Sequence, residues 1–362
     1  MIETLSLLPG PVSVPARILK AMSADLDAGH TEDDHLLLYR TVTDKLARIM
    51  NTRNDIVLMS GEGMLVLWAA LKSCLQVGDT VLCLDTGYFG AGFAQMCTAL
   101  GCRTESMNFD YDSTINQPGN MERIEAAIKH CKPKMLVVVH CETPSGTINP
   151  LSELGALKKR LKVPLLCADM VSSLGGMEIK VDEWQVDLAL GGSQKCLSAP
   201  PSMCFTSVSE RAWEEISKVN YQGYDSLLSF RQTYSKGVFP YTPYRQGTVA
   251  LNTGLDMLME EGLPQVFARH ERVAAETRKG LAELGFKLFP QPLAIPSSTV
   301  TAAYMPEQYL WAEWYRQLKE KGLFAGESFG PLAGKVFRLG HMGAQASSAL
   351  IAKALKILAQ MV

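Results

Sequence analysis

Lys195 closes the stretch Leu188-Ala189-Leu190-Gly191-Gly192-Ser193-Gln194-Lys195, in which an apolar run breaks at two glycines and ends on a hydroxyl, an amide and an amine. A lysine held where a strand hands over to a glycine turn can be shielded from water, and burial lowers its pKa until the free amine is available as a nucleophile. Taken alone it reads as a solvated loop lysine, since most of the 35 Lys and Arg residues must lie at the surface. Its companions change that balance. Asp169 ends the apolar run 163–168, and an aspartate at the carboxyl end of an inner strand needs a partner with a proton to share. Glu62, within Ser60-Gly61-Glu62-Gly63, stands where a helix begins near Met64, and the unpaired N–H groups and dipole of a helix start make an anion site. Gly61-x-Gly63 lacks the third glycine of a dinucleotide fingerprint, no Lys-Ser/Thr follows as a P-loop requires, and Glu62 equally serves as an ordinary cap charge. Tyr88 and Phe89, in Asp85-Thr86-Gly87-Tyr88-Phe89-Gly90, put an aromatic face at a further strand end, suited to stacking on a planar ligand or to core packing.

Together these groups describe what pyridoxal chemistry requires. Lys195 supplies an amine for a Schiff base, Asp169 a carboxylate to keep a ring nitrogen protonated, and Phe89 or Tyr88 a ring to stack on. Ser193 and the N–H groups around Gly63 would meet a phosphate.

The elements that must position these groups follow one pattern. Strands predicted at 56–59, 80–84, 135–139, 163–168 and 186–190 each run into a polar or glycine turn, and helices at 64–75 and 91–100 follow the first two. Strand, turn and helix in this order argue for an α/β fold with a parallel sheet, whose active-site groups gather at the carboxyl ends of the strands. Ahead of them lie an extended start at Leu7-Leu8-Pro9-Gly10-Pro11-Val12 and helices at 14–22 and 35–50, which flank the polar turn Gly29-His30-Thr31. Behind them a proline-stiffened loop at 239–245 precedes a helix at 251–261 and a boundary near Gly262. A smaller α+β region with strands at 299–304 and 336–339 completes the chain.

With 362 residues, 47% hydrophobic and 20% charged, the chain can bury a large core and is long enough for two domains. A net charge of -2 and the lack of a basic run in the sequence disfavour nucleic acid and membrane surfaces as partners. The nine cysteines form no matched Cys-x-x-Cys pairs, which argues against a metal or disulfide framework and for buried reduced thiols. Met1-Ile2-Glu3 opens no basic leader, and no apolar run reaches the ~18 residues of a membrane span, so a cytoplasmic location is expected.

Seven motifs in order resemble the class V aminotransferases along essentially the whole chain. They are Pro9-Gly10-Pro11, Gly29-His30, Ser60-Gly61-x-Gly63, Thr143-Pro144-Ser145-Gly146, Ala168-Asp169-x-Val171-Ser172-Ser173, Gly192-Ser193-Gln194-Lys195 and Arg338-Leu339-Gly340-His341-Met342-Gly343. The resemblance implies a fold type I architecture: an N-terminal segment at 1–20 packing on the dimer, and a large cofactor domain at 21–262 with a mostly parallel seven-stranded sheet between helices. A small α+β domain at 263–362 follows. It implies pyridoxal 5'-phosphate as cofactor, Lys195 as Schiff-base lysine and proton shuttle, Asp169 on the ring nitrogen, Val171 under the ring, Phe89 over it and Thr143 near its hydroxyl. Gly61, Glu62, Gly63, Met64, Ser193 and Gln194 would form the phosphate site, with Thr242 reaching the phosphate of a second subunit in a homodimer. Pro11, Val12, His30 and Arg338 would bind substrate, Arg338 as a bidentate fork on the carboxylate.

The nearest types within that family are the alanine–glyoxylate and serine–pyruvate enzymes, which implies transfer from alanine or serine to pyruvate or glyoxylate. Glu62 and Phe239 depart from that pattern and resemble the pyridoxamine–pyruvate type, which takes free pyridoxamine or pyridoxal as a substrate. Ser193, Gln194, Arg245 and Phe329 speak for the first reading. A desulfurase or lyase of the same fold typically carries His before the lysine, where this chain has Gln194. A non-catalytic vitamer-binding module would lack the lysine or add a DNA-binding domain.

Overall fold

The computed structural model describes residues 4–24 and 33–361; His30 lies outside the described residues. Seven strands form the central sheet: β1 (Asp55–Ser60), β2 (Thr80–Asp85), β3 (Arg103–Asn108), β4 (Met135–Val139), β5 (Leu165–Asp169), β6 (Leu188–Gly192) and β7 (Met203–Val208). Their order is β1-β7-β6-β5-β4-β2-β3. All pairings are parallel except those of β7, which runs antiparallel to β1 and β6. The unbroken apolar run of β4 is the pattern of a strand covered on both faces. Alternate side chains go to opposite sides. Leu136 and Val138 join one core with Leu82, Leu84 and Leu166, whereas Val137 and Val139 join another with Val81, Cys83 and Leu165.

The structure differs from the sequence expectations in its strands, its helix bounds and its charge distribution. Two strands of the sheet were not anticipated: β3 is polar apart from Met107 and mostly exposed, and Thr206 and Ser207 interrupt the apolar residues of buried β7, so neither carries a continuous apolar run. The helix expected at 91–100 is Tyr88–Ala99, which brings Tyr88 and Phe89 into its first turn, and the helix expected at 251–261 begins at Arg245. The chain does assemble a basic cluster, from residues distant in sequence. Arg103, Lys129, Lys132, Lys134 and Lys162 line one cleft at the amino ends of the strands, where Lys134 pairs with Asp79 at 2.8 Å and Lys129 with Glu125 at 2.6 Å.

A second core belongs to the C-terminal region. Strand Val336–Gly340 lies between Val300–Tyr304 and Gly326–Glu327, antiparallel to both. Helices Trp311–Glu320 and Ser348–Leu358 contribute Trp314, Ile351 and Leu358 to its apolar side. Gly262, at φ +88, separates helices Arg245–Glu261 and Leu263–Glu283, a conformation that favours glycine. The second of these helices spans both cores: Val266 packs with the sheet, Val273 and Leu281 with the C-terminal core.

The N-terminal segment is anchored in that same C-terminal core. Leu5–Ser6 pairs in parallel with Leu323–Phe324, Leu5 and Leu7 are buried beside Trp314 and Phe337, and Gly340 N–H donates to Leu7 O at 2.6 Å. The chain then passes through Pro9-Gly10-Pro11 to the helix Ala16–Met22, where Arg17 pairs with Glu260 at 2.6 Å. Among the described residues, no helix is long and apolar enough to cross a membrane. Leu7 is fully buried, so Leu7→Ala is expected to cost about 2–5 kcal/mol. A lowered urea midpoint is the expected result, and an unchanged one would show that this side chain is not the anchor.

Candidate active site

β5 and β6 are parallel neighbours, so the residues that follow them open on the same side of the sheet. β6 runs close to β7: a Cβ on Gly191 would stand 2.2 Å from Phe205 Cε2, which explains a glycine there. Three residues beyond β6, Nζ of Lys195 donates to the carbonyl oxygen of Pro9. Gly10 presses on the same amine, since at φ +104 its Cβ would lie 2.3 Å from Nζ. Burial, and after it the charge of Arg338, lower the Lys195 pKa to about 8.

Asp169 ends β5 and accepts from Val171 N–H at 2.8 Å through Oδ1. Burial raises its pKa to about 6, with the Val171 N–H and the charge of Lys195 pulling the other way. Lys195 and Asp169 line one cavity of about 260 Å³ together with Pro11, Glu62, Gly63, Met64, Phe89, Thr143, Val171, Gln194 and Arg338. Gly63 lets the helix Gly63–Cys74 approach closely, since a Cβ there would be 3.0 Å from Val171 Cγ2.

Glu62 is the N-cap of that helix, its Oε1 accepting from Met64 N–H at 3.0 Å while Gln194 Nε2 stands 3.5 Å from Oε2. The helix start therefore already holds a carboxylate. Gln194 leaves its Oε1 buried with no hydrogen-bond partner among the described residues. Arg338, on Val336–Gly340, donates from Nε to Glu327 O at 3.0 Å and from Nη2 to the same carbonyl, and its guanidinium lies 4.4 Å from the centre of the Phe329 ring. Burial lowers its pKa to about 10, opposed by Glu327.

Other expected residues lie elsewhere. Ser193 is fully buried, and its hydroxyl donates to Pro200 O at 2.5 Å and accepts from Met203 N–H at 3.2 Å, so it is spent inside the loop rather than offered to the cavity. Gly61 shapes the turn below, with N–H to Ser202 O at 2.8 Å. Val12 is buried one residue past the lining Pro11, donating to Gln194 O at 3.1 Å. Thr242 is exposed and is not part of the cavity wall.

Sequence reasoning missed two contributors. Pro9 belongs to the extended start and to the Pro9-Gly10-Pro11 motif, which assign it no place at the site, yet its carbonyl is the acceptor for Lys195. Glu142 is fully buried and accepts from Gly90 N–H at 2.7 Å and Phe89 N–H at 3.3 Å, which fixes the start of the helix that carries Phe89. Burial pushes its carboxyl up to about 8, the two N–H bonds opposing. Its only signal in the sequence was the polar stretch after β4. Among the described residues no group of His, Cys, Asp and Glu is placed to hold a metal.

A family model described as Aminotransferase class-V matches residues 19–324. An uncharacterized aminotransferase of Methanocaldococcus jannaschii is 37% identical over 347 residues, covering 94% of this chain and 88% of that protein. Alanine–glyoxylate aminotransferase of Oryctolagus cuniculus is 30% identical over 355 residues, covering 95% of this chain and 88% of its own. Among solved structures, pyridoxamine–pyruvate aminotransferase of Mesorhizobium loti superposes with a TM-score of 0.93 at 29% identity, covering 99% of this chain and 92% of the other.

The two titrations act on stability in opposite directions. Between about pH 8 and its ordinary 10.5, Lys195 holds a proton only when unfolded, so its contribution to stability rises with pH there. Between its ordinary 3.8 and about 6, Asp169 holds a proton only when folded, so stability falls as pH rises through that window. Arylation of Lys195 in the cofactor-free protein, followed by mass spectrometry, is expected to reach half its maximal rate near pH 8. A midpoint near the ordinary value would refute the buried amine.

Proposed function

Because the chain belongs to the class V aminotransferases, we propose that it moves an amino group from a small amino acid, alanine or serine, to a 2-oxo acid, pyruvate or glyoxylate. Pyridoxal 5'-phosphate is the proposed cofactor and Lys195 the reacting amine. The observation that carries this reading is a buried amine and a buried carboxylate, both shifted toward neutral pH, at the ends of adjacent strands and facing one cavity. The residues present fit the cofactor: an amine, a carboxylate, the ring of Phe89 and the side chain of Val171 all border the same space.

When bound, the cofactor supplies an aldehyde that condenses with amines and a ring that takes up an electron pair. The chain's residues do the rest. Burial leaves more of Lys195 as free base at neutral pH than an ordinary lysine would have. Its Nζ therefore takes a proton from the substrate α-carbon at neutral pH. Asp169 keeps one oxygen on Val171 N–H and offers the other to a ring N–H. Arg338 presents the N–H groups not spent on Glu327 to the substrate carboxylate, and Pro11 lines the same cavity. In a homodimer, exposed Thr242 would serve the partner's site rather than its own.

One observation favours a second reading, in which free pyridoxamine or pyridoxal is a substrate. Glu62 already caps the helix where a phosphate would sit, and the Ser193 hydroxyl is turned away. A carboxylate beside a phosphate dianion repels it but accepts readily from a neutral alcohol.

Alanine with glyoxylate is expected to turn over in wild type and not in Lys195→Ala, which should also lack the visible absorption band that borohydride abolishes in the wild type. No lysine-dependent band with either vitamer would remove Lys195 from the chemistry. Retention of pyridoxal phosphate through dialysis with no turnover of pyridoxamine and pyruvate selects the first reading, and the reverse pattern selects the second.

A further inference from the structure

The charged side chains lining the cavity are few. Lys195 and Arg338 are its cations, Asp169 and Glu62 its anions. With Lys195 assigned to proton transfer and Arg338 to the α-carboxylate, no third cation among the described residues of one chain lines the cavity to meet a second carboxylate, and Glu62 repels one. The group beside Arg338 is an aromatic ring instead. Phe329 lines the cavity, covers one face of the Arg338 guanidinium at 4.4 Å, and stands 5.5 Å from Tyr88 and 6.4 Å from Phe89, centre to centre. These rings are fixed against one another. Tyr88 meets Phe89 edge-on at 5.5 Å, and Gly330, at φ +58, leaves no room for a Cβ, which would fall 2.8 Å from Tyr88 Cδ2. Yet Phe329 and Tyr88 remain 42% and 43% exposed, large apolar surfaces beside the substrate's anchoring residue.

We propose that Phe329, backed by Tyr88, is a specificity-determining residue that selects amino acids with uncharged apolar side chains, from alanine to aromatic ones, over serine and over dicarboxylic amino acids. The proposal rests on the aminotransferase reading and shifts its donors from alanine or serine to alanine and larger apolar amino acids. A carboxylate held within hydrogen-bond distance of Arg338 brings the rest of the molecule against the ring that covers that guanidinium. An apolar side chain then leaves water on contact, a hydroxyl gains no partner there, and a second carboxylate loses its hydration with no cation in return.

The test compares wild type with Phe329→Ser, Phe329→Leu and Tyr88→Ala. kcat/KM is measured for alanine, leucine, phenylalanine, serine and aspartate with one acceptor, glyoxylate. Independently, calorimetry measures binding of 3-phenylpropionate and of succinate. Wild type should prefer leucine to serine and use aspartate at least about 100-fold less well than alanine. Phe329→Ser should lower the leucine-to-alanine ratio and the affinity for 3-phenylpropionate roughly tenfold each, and Phe329→Leu should restore most of both. Tyr88→Ala should shift both in the same direction by less. Turnover of alanine with ratios and affinity unmoved in Phe329→Ser, or aspartate used as well as alanine, overturns the assignment and leaves the aminotransferase reading standing. No turnover of any amino acid, with binding of 3-phenylpropionate that still depends on Phe329, overturns the reading and supports the apolar subsite.

Discussion

A primary amine taken out of water must find an acceptor, and much of the architecture around Lys195 follows from that need. The acceptor is a backbone carbonyl, that of Pro9, in a segment with no regular secondary structure of its own. A carbonyl can be held in place there only if the segment is tied down on both sides. Leu7 is bonded to Phe324 and Gly340, Val12 to Gln194, and the Gln345 side chain joins Leu8, Ser13 and Gly340. The strand Val336–Gly340 thus carries Arg338 and also secures the segment whose carbonyl accepts the Lys195 hydrogen bond. The two cationic groups of the site keep their separation through one short piece of backbone.

The parts of this arrangement that were legible in the sequence are those that depend on local pattern. The buried runs of β4, β5 and β6, and the polar residues that end them, announce a sheet with chemistry at its carboxyl ends, and Lys195 and Asp169 stand there. β3 and β7 were not legible because neither shows a continuous apolar run: β3 is polar apart from Met107, and Thr206 and Ser207 break the run of β7. The role of Glu142 was hidden for another reason. A carboxylate next to a strand end looks the same whether it faces a ligand or the first turn of a helix more than fifty residues away, and only the folded chain shows that it bonds Phe89 and Gly90. Ser193 shows the converse: its neighbours Gln194 and Lys195 line the cavity, while its own hydroxyl is spent on Pro200 and Met203.

The site balances satisfied against unsatisfied groups. Asp169, Glu142 and Arg338 each have backbone partners that fix their orientation before any ligand arrives, which lowers the reorganisation left to binding. The amide oxygen of Gln194 has none among the described residues, and a buried acceptor without a donor costs on the order of 1–3 kcal/mol. The same corner holds the carboxylate of Glu62 on the helix start. It is the part of the cavity where the identity of the guest matters most.

The N-terminal segment also has a bearing on how the protein is made. Ser13 and Gln345, joined in the finished site, are 332 positions apart. At a synthesis rate of about 5–20 residues per second, the first waits between about 17 and 66 s for the second to emerge. During that interval the central sheet can assemble, but the segment bearing Pro9 has no C-terminal core to lie on. The Pro9 acceptor of the Lys195 amine thus lies in a segment whose strand pairing needs residue 323, which is made long after the lysine itself.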